Sequence, residues 1–366
     1  ENIGDSHSNS IQTKNATICF FDLFSLMFRL FSMVLDRDCL MTMVIMMIII
    51  YSYIHLYITA YRIREVELEI SKKYSEKKMR CPTHLSVGQE GVSSAFSQIA
   101  KKKDFAVSTH RAHAHYLAKG GSLKKMIAEI YGKKTGCSNG KGGSMHLIDL
   151  KCNFMGSSAI VGNSIPIGVG LALSAKMKKT SQVSYVFLGD GAVEEGVFYE
   201  SLNFSIVKKL PVIFICENNL YSVYSPLSVR QPKKRSISKM CSSIGIKSLK
   251  CDGNDAMKVF NILGKITNQV RNSKEPFFLE LDTYRWLEHC GPNYDNDIGY
   301  RSKNEFLKWK KKDPLEILRS KLPIKSLKKI EFFEKKIKKE IKSAFNFAEK
   351  SPFPSKSSAY EGLYAK

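Results

Sequence analysis

The chain contains 366 residues, of which 43% are hydrophobic and 25% are charged, proportions typical of a globular protein with one large α/β domain or two smaller ones. Lysine and arginine outnumber aspartate and glutamate by 57 to 34. The sequence has no aromatic-interleaved basic motif, finger spacing or recognition-helix pattern, which argues against nucleic-acid binding. We interpret the excess as a solvated basic surface that docks an acidic partner. The nine cysteines include no C-x-x-C pair, so neither a cysteine zinc site nor a disulfide framework is indicated, and a reducing cytosol fits best.

The first 50 residues form an atypical extension that has two interpretations. Residues 40–60 carry no charged side chain across 21 positions, which is long enough to span a bilayer. Alternatively, the natural protein starts inside this segment, and the residues before the start are not part of it. The candidate start residues are Met41, Met43, Met46 and Met47. We expect a cytoplasmic protein, with membrane attachment through residues 40–60 as the alternative.

Residues 136–146 contain four glycines and Lys141, so a nucleotide phosphate loop has to be considered. The segment fails the Walker pattern, because Lys141 is followed by two glycines and the spacing from the first glycine is wrong. After Pro166, small residues recur on one helical face. They predict a helix packed tightly under a sheet.

Residues 183–221 predict a strand, a helix and a second strand. The apolar run 183–188 is rich in β-branched and aromatic residues and stops at a Gly-Asp-Gly turn, and residues 212–216 form a similar run that stops at Glu-Asn-Asn. Between them, apolar residues recur at four-residue spacing until Pro211, at Phe198, Leu202, Ile206 and Leu210. A right-handed crossover places both strands in one parallel sheet with their carboxyl ends on the same edge. Asp190 and Asn219 should therefore be neighbours, although they are 29 positions apart.

This pair of side chains suits a hard divalent cation. Magnesium prefers oxygen ligands and usually keeps a phosphate among them, so one carboxylate, one amide oxygen and a backbone carbonyl can form half a coordination shell. Gly189 and Gly191 allow the backbone to approach a diphosphate closely, and the helix N-terminus that follows favours its negative charge. The alternative is a Rossmann-like turn with an incidental aspartate.

The rest of the chain continues the α/β pattern. Residues 222–238 are polar and basic and predict a surface loop. A short strand after Ile244, a helix at 255–271 and a strand at 276–282 follow. Residues 303–350 alternate lysines with apolar positions, which predicts amphipathic surface helices.

The Gly-Asp-Gly turn followed about thirty residues later by Asn-Asn resembles the thiamine-diphosphate-binding motif. The sequence around this motif, residues 57–318, resembles the alpha subunit of the decarboxylating component of 2-oxo acid dehydrogenase complexes of the pyruvate, branched-chain and acetoin types. The resemblance implies an α/β thiamine-diphosphate-binding fold, the diphosphate-binding half, with a parallel sheet and helices on both faces. It implies a domain over residues 51–330, a first amphipathic helix at 57–74, and a Lys-rich C-terminal helix and tail at 331–366. The first fifty residues lie outside it.

The resemblance also implies a set of site residues for thiamine diphosphate and Mg²⁺. The cofactor-binding positions are His110, Arg111, Val161, Gly189, Asp190, Gly191, Ala192, Asn219 and Arg285. The metal ligands are Asp190, Asn219 and the backbone carbonyl of Tyr221, and the candidate catalytic residues are His84, His113 and His289. Two positions depart from the family, since relatives commonly have Tyr at position 110 and Gly at position 159. The first departure leaves it open whether residue 110 contacts the phosphate. The second reduces the backbone freedom at position 159 if relatives use a positive φ there.

The implied activity is oxidative decarboxylation of a small 2-oxo acid, with transfer of the acyl group to the lipoamide of a lipoyl-bearing acyltransferase. The family's activating glutamate comes from a separate pyrimidine-binding domain, so we expect a beta subunit, an α2β2 heterotetramer and an alpha chain that is inactive alone. A transketolase-like or synthase-type enzyme that needs no lipoamide, and a non-catalytic scaffold, are the alternatives. The sequence leaves the identity of the 2-oxo acid open.

Overall fold

The computed structural model describes residues 37–79, 81–362 and 364. The chain divides into two units, Glu1–Ser52 and Tyr53–Lys366. In the first unit the described residues, 37–52, are helical. The part of the predicted N-terminal extension before residue 37 lies outside the described residues.

The second unit is built around a six-stranded sheet in the order β2-β1-β3-β4-β8-β7, and every neighbouring pair of strands is parallel. Its strands are β1 (Phe105–Ser108), β2 (Phe154–Ser157), β3 (Ser184–Gly189), β4 (Val212–Asn218), β7 (Lys247–Asp252) and β8 (Phe277–Asp282). A separate antiparallel hairpin consists of β5 (Tyr221–Ser222) and β6 (Ser225–Pro226). The predicted parallel α/β architecture is confirmed.

Twelve α-helices occur in the described part of the chain. They are α1 (Arg37–Tyr74), α2 (Glu90–Ile99), α3 (His113–Ala118), α4 (Leu123–Ile130), α5 (Ser164–Met177), α6 (Gly196–Val207), α7 (Leu227–Arg230), α8 (Ile237–Ile244), α9 (Ala256–Ser273), α10 (Lys303–Lys310), α11 (Pro314–Ser320) and α12 (Leu327–Lys350). The helices α10 to α12 confirm the predicted amphipathic helices after residue 303.

Helices cover both faces of the sheet. Tyr185 and Phe187 of β3 belong to a buried cluster that includes residues of α1, α2 and α9. Val186 and Leu188 belong to a second buried cluster that includes residues of α5, α6 and α8. Successive side chains of a strand point to opposite faces, so this alternation places one helical layer on each side.

Helix α1 bears on the membrane question. It contains a stretch, Met41–Tyr74, that is long and apolar enough to cross a membrane by length and composition. Within the second unit, however, Leu56, Tyr57 and Ala60 of this helix are fully buried in the core. A membrane span over residues 40–60 would have to remove these three side chains from that core.

Two local expectations were wrong. The 222–238 segment, predicted as a surface loop, contains the hairpin, α7 and the beginning of α8, whose first turn is capped by the Ser236 side chain. A 3-10 helix, Asp190–Glu194, precedes α6, which ends at Val207. Leu210, the last position of the predicted helical pattern, is buried after the helix has ended. Short turns satisfied by side-chain caps have no apolar periodicity, so the pattern did not reveal them.

Two glycines of α5 provide a matched test of packing under the sheet. A Cβ atom on Gly168 would lie 2.3 Å from Val186 Cγ2 and 2.8 Å from Val107 Cγ2, whereas one on Gly170 would meet nothing within 4 Å. Valine is stiff at χ1, so we expect Gly168→Ala to destabilise the chain by about 1–3 kcal/mol. Gly170→Ala should be neutral or stabilising by up to about 1 kcal/mol. Urea denaturation of both variants measures this, and equal effects would contradict the packing described.

Candidate active site

A cavity opens where β3 and β4 end. Residues from six segments of the chain form its wall, because the carboxyl ends of parallel strands meet at one edge of the sheet. Ten of the predicted site residues line it, namely His110, Arg111, Val161, Gly189, Asp190, Gly191, Ala192, Asn219, Tyr221 and His289.

The structure places Asp190 and Asn219 side by side. Gly189 of β3 pairs with Glu217 of β4, so the residues just beyond the two strand ends are neighbours. Asp190 is 1% exposed. Burial raises the pKa of its carboxyl group, and the Arg230 guanidinium and the backbone N–H of Asn219 partly offset that rise. The side-chain oxygen of Asn219 accepts a hydrogen bond from the backbone N–H of Tyr221 at 3.2 Å, which orients the amide.

Arg230 is a site residue that the sequence did not reveal. Its two terminal nitrogens donate to Asp190 Oδ2 and to Glu194 Oε1, and its Nε donates to the Ser225 carbonyl at 3.0 Å. The segment that carries it folds over the Gly-Asp-Gly turn, since a Cβ atom on Gly191 would lie 2.8 Å from Ser222 Oγ. Arg230 lies in the basic segment interpreted as a surface loop, and only the folded chain distinguishes it from its neighbours.

Arg111 brings a positive charge to the cavity wall. Its side chain is held by two backbone carbonyls, with Nη1 donating to Leu85 at 2.6 Å and Nη2 to His289 at 3.0 Å. Burial, followed by the nearby Arg285, lowers its pKa to about 10, so the guanidinium remains charged at neutral pH. Such a group is suited to bind phosphate or carboxylate oxygens.

Three histidine rings form a cluster beside Arg111. The ring centroids of His84 and His110 are 4.5 Å apart, those of His84 and His289 are 5.0 Å apart, and those of His110 and His289 are 5.3 Å apart. Burial, and then the charge of Arg111, lowers the pKa of His84 to about 2, that of His110 to about 4 and that of His289 to about 3. All three imidazoles are therefore neutral near pH 7.

The comparisons with known proteins agree with this geometry. The family described as the dehydrogenase E1 component matches residues 59–357. The chain belongs to this family. The predicted membership of the 2-oxo acid dehydrogenase alpha subunits is confirmed, and with it an oxidoreductase of thiamine-diphosphate-dependent type that acts on the oxo group of a 2-oxo acid.

Several curated relatives carry the name pyruvate dehydrogenase E1 component subunit alpha. The protein of Rickettsia typhi is 38% identical over 284 residues, which cover 77% of this chain and 86% of that one. The protein of Rickettsia prowazekii is 36% identical over 307 residues, or 82% and 92% of the two chains. A chloroplastic pyruvate dehydrogenase alpha subunit of Arabidopsis thaliana is 34% identical over 311 residues, or 82% and 72%.

One solved structure to which this chain is similar is that of a putative thiamin diphosphate-dependent enzyme isolated from Mycobacterium smegmatis. It is 15% identical, has a TM-score of 0.38, and the match covers 56% of this chain and 34% of that one.

Three predicted site residues of this E1 chain, His84, His113 and Arg285, do not line the cavity, although the His84 ring contacts His110 and His289, which do. His113 is fully buried, with Nε2 2.8 Å from Ser144 Oγ and Nδ1 3.3 Å from Glu67 Oε2. Through Ser144 it anchors the glycine-rich segment 136–146. A contact of this ring with substrate would require that anchor to open.

The terminal nitrogens of Arg285 donate hydrogen bonds to the surrounding chain. Its Nη1 donates to the Leu287 carbonyl at 2.7 Å, and its Nη2 donates to the Val223 carbonyl at 2.8 Å and to the Tyr300 hydroxyl at 2.7 Å. It therefore shapes the segment after β8 that carries His289, and the predicted contact with diphosphate would require these bonds to break.

The neutral histidines predict a pH dependence of stability. In the unfolded chain these groups bind protons below about pH 6.5, whereas in the folded chain their pKa values are lowered to about 2, 4 and 3. The free energy of unfolding should therefore fall as the pH drops from about 6.5 to 4.5, by about 1 kcal/mol per pH unit for each histidine and about 3 kcal/mol per pH unit for the cluster. His110→Tyr removes one such group. Urea titrations of both proteins at pH 4.5 to 8 should show a smaller acid-side slope for the variant and the same stability change between pH 7 and 8.

Proposed function

We propose that this chain is the alpha subunit of a pyruvate-type 2-oxo acid dehydrogenase, which binds thiamine diphosphate with Mg²⁺ and completes its active site with a beta subunit. The observation that carries the proposal is the meeting of Asp190 and Asn219 at the ends of two parallel strands, inside a cavity that also presents Arg111. The names of the relatives favour pyruvate as the substrate.

The residues present fit a diphosphate bound through a magnesium ion. Asp190 supplies the carboxylate, Asn219 the amide oxygen and Tyr221 the backbone carbonyl, and Arg111 supplies a positive charge for the phosphate oxygens. Arg230 now holds the Asp190 carboxylate. A metal ion at this carboxylate would share it with that guanidinium or displace it, and in either case ion binding should weaken the ion pair with Arg230.

Thiamine diphosphate, when bound, supplies a nucleophilic carbon and an electron sink for decarboxylation. The chain's own contribution is to hold the diphosphate and to place imidazole nitrogens beside the reacting groups. A bound diphosphate adds negative charge near His84, His110 and His289, which raises their pKa values toward neutrality. His84 and His289 can then accept or donate a proton at a ring nitrogen near the working pH.

A partner surface borders the cavity. Ile160 is 65% exposed and precedes Val161, which lines the cavity. The adjacent helices α5 and α6 pack against each other and expose further large apolar side chains, namely Ile167, Met177, Phe204 and Val207. Clustered exposed apolar groups mark interaction sites, so this face is where the beta subunit should dock in an α2β2 assembly.

The acyl acceptor is the lipoamide of a lipoyl-bearing acyltransferase, for which the net charge of +23 offers a basic docking surface. The burial of Leu56, Tyr57 and Ala60 in the core supports a cytoplasmic enzyme rather than one that spans a membrane through residues 40–60. The family match favours this reading over a transketolase-like enzyme.

The test is calorimetric titration of thiamine diphosphate and Mg²⁺ into the full chain, alone and with its beta subunit, followed by a lipoamide-dependent assay on 2-oxo acids. We expect binding that requires Mg²⁺, activity only with the beta subunit, and pyruvate as the preferred substrate. Failure of the assembled pair to bind the cofactor would overturn the proposal.

A further inference from the structure

The glycine-rich segment 136–146 is organised around a carboxylate of the chain itself. Glu129 is fully buried in the last turn of α4, and its side chain accepts hydrogen bonds from four backbone N–H groups. Oε2 accepts from Ser138 at 2.8 Å and Gly140 at 2.9 Å, and Oε1 accepts from Gly142 at 2.7 Å and Gly143 at 3.3 Å. Backbone N–H groups that converge in this way form an anion-binding nest.

The surroundings of Glu129 fit this role. An acidic side chain in the last turn of a helix opposes the helix dipole, so α4 gains no stability of its own from a glutamate there. A buried carboxylate needs hydrogen bonds to offset its lost hydration, and the nest supplies them. A Cβ atom on Gly136 would lie 2.1 Å from Glu129 Oε2. The segment therefore has glycine where the backbone comes closest to the carboxylate.

Lys141, the residue that raised the possibility of a phosphate loop, lies outside the nest. It is exposed, and its Nζ donates to the backbone carbonyl of Glu361 at 2.7 Å. The N–H groups that could receive a phosphate are bonded to Glu129 instead. The segment thus uses its converging N–H groups to hold an anion of the chain rather than a nucleotide.

The segment contacts the backbone on one side of the cofactor cavity through Ser144. Ser144 is fully buried and directly follows the last residue of the nest, Gly143. Its Oγ lies 2.8 Å from Nε2 of His113, which is the first residue of α3. His113 comes two positions after Arg111, and Arg111 lines the cavity. The nest is therefore connected to the backbone that carries this arginine.

A second connection runs to the opposite wall of the cavity. The hydroxyl of Ser157 donates to the Met145 carbonyl at 2.7 Å and accepts from the Leu147 N–H at 2.9 Å. Ser157 is the last residue of β2, four positions before Val161. Because Val161 also lines the cavity, the conformation of the glycine-rich segment bears on two separate parts of its wall.

We propose that Glu129 is a positioning residue for cofactor binding, which fixes residues 138–147 and, through Ser144 and Ser157, the backbone that carries Arg111 and Val161. The inference rests on the proposed binding of thiamine diphosphate in this cavity. Glu129 does not line the cavity. It acts on cofactor affinity only through the placement of residues that do.

Glu129→Gln is the decisive variant, because it keeps the size of the side chain. One oxygen that accepts two N–H bonds becomes an NH₂ group that can only donate, so two N–H groups lose their acceptor. In the complex with the beta subunit, we expect the Kd and the KM for thiamine diphosphate to rise at least about tenfold. The kcat at saturating cofactor should stay within about twofold, because lost uniform binding raises KM alone. Urea denaturation in parallel shows that the variant is folded under the assay conditions.

Hydrogen exchange of the full chain tests the same inference without cofactor, since local opening of the backbone speeds exchange. Glu129→Gln should speed exchange at residues 138–143 and also at residues 109–115, which include Arg111 and His113. Ser144→Ala leaves the nest intact and removes only its contact with His113. This second variant should therefore speed exchange at residues 109–115 and leave residues 138–143 as in the wild type.

Lys141→Gln is the matched control, because it changes an exposed side chain of the same segment. It should leave cofactor affinity and exchange unchanged, and loss of cofactor binding in this variant would point to a phosphate loop and overturn the proposal. Wild-type cofactor affinity in Glu129→Gln, with faster exchange confined to residues 138–143, would also overturn it. If the wild-type pair binds no thiamine diphosphate, the proposed function fails, whereas exchange at residues 109–115 still decides whether Glu129 positions them.

Discussion

Asp190→Asn should weaken Mg²⁺-dependent binding of thiamine diphosphate by at least about 100-fold, or roughly 2.7 kcal/mol. The amide has the size of the carboxylate but no charge, and a hard cation loses much of its attraction when its anionic oxygen ligand is neutralised. The fold should survive, because Arg230 keeps its second ion pair with Glu194. Calorimetric titration of the cofactor at fixed Mg²⁺, with the beta subunit present, measures the change.

Asp252→Asn is the matched control for this variant. Asp252 ends β7 at the same edge of the sheet, lies outside the cavity and pairs with Lys312 at 3.3 Å on the surface. Its replacement should change cofactor affinity less than twofold, since exposed ion pairs contribute little. If Asp190→Asn bound the cofactor with unchanged Mg²⁺ dependence, Asp190 would not be the metal ligand, and its buried ion pair with Arg230 would be structural.

Asp295→Asn should destabilise the chain by about 3–5 kcal/mol. The carboxylate of Asp295 is fully buried and accepts from two buried guanidiniums, those of Arg285 and Arg301, and from the hydroxyl of Tyr300. Removal of its charge leaves two buried cations without their anion, which is the costly way to break an ion pair. Urea denaturation should show the loss as a lower midpoint.

Asp297→Asn, two positions away, is the control. Asp297 is exposed, and surface substitutions of this kind usually change stability by less than about 0.5 kcal/mol. The segment around Asp295 also carries His289, so Asp295→Asn should weaken cofactor binding as well. An Asp295→Asn chain as stable as the wild type would show that the Arg285–Asp295–Arg301 cluster is not a determinant of this segment's conformation.

Local patterns in the chain were enough to predict the parallel strands β3 and β4, the crossover between them and the meeting of Asp190 with Asn219. The reason is that a buried strand and an amphipathic helix each have their own periodicity, and the hand of the crossover is nearly invariant. The Gly-Asp-Gly turn and the Asn-Asn pair then identified the cofactor class by resemblance, because each motif consists of consecutive residues in the sequence.

Long-range side-chain pairing was decided only in three dimensions. Arg230 forms an ion pair with Asp190, and His113 contacts both Glu67 and Ser144. Asp295 forms ion pairs with two arginines. No spacing rule marks such contacts, since either partner looks like an ordinary polar residue in its own segment.

The histidine cluster shows most clearly the difference between what the sequence predicts and what only the tertiary structure decides. His84, His110 and His289 could each be selected from the sequence as site residues. Their mutual contact and their lowered pKa values follow from burial beside Arg111. The residue types present at the site could thus be read along the chain, whereas their charge states and partners depend on the desolvation and distances that packing creates.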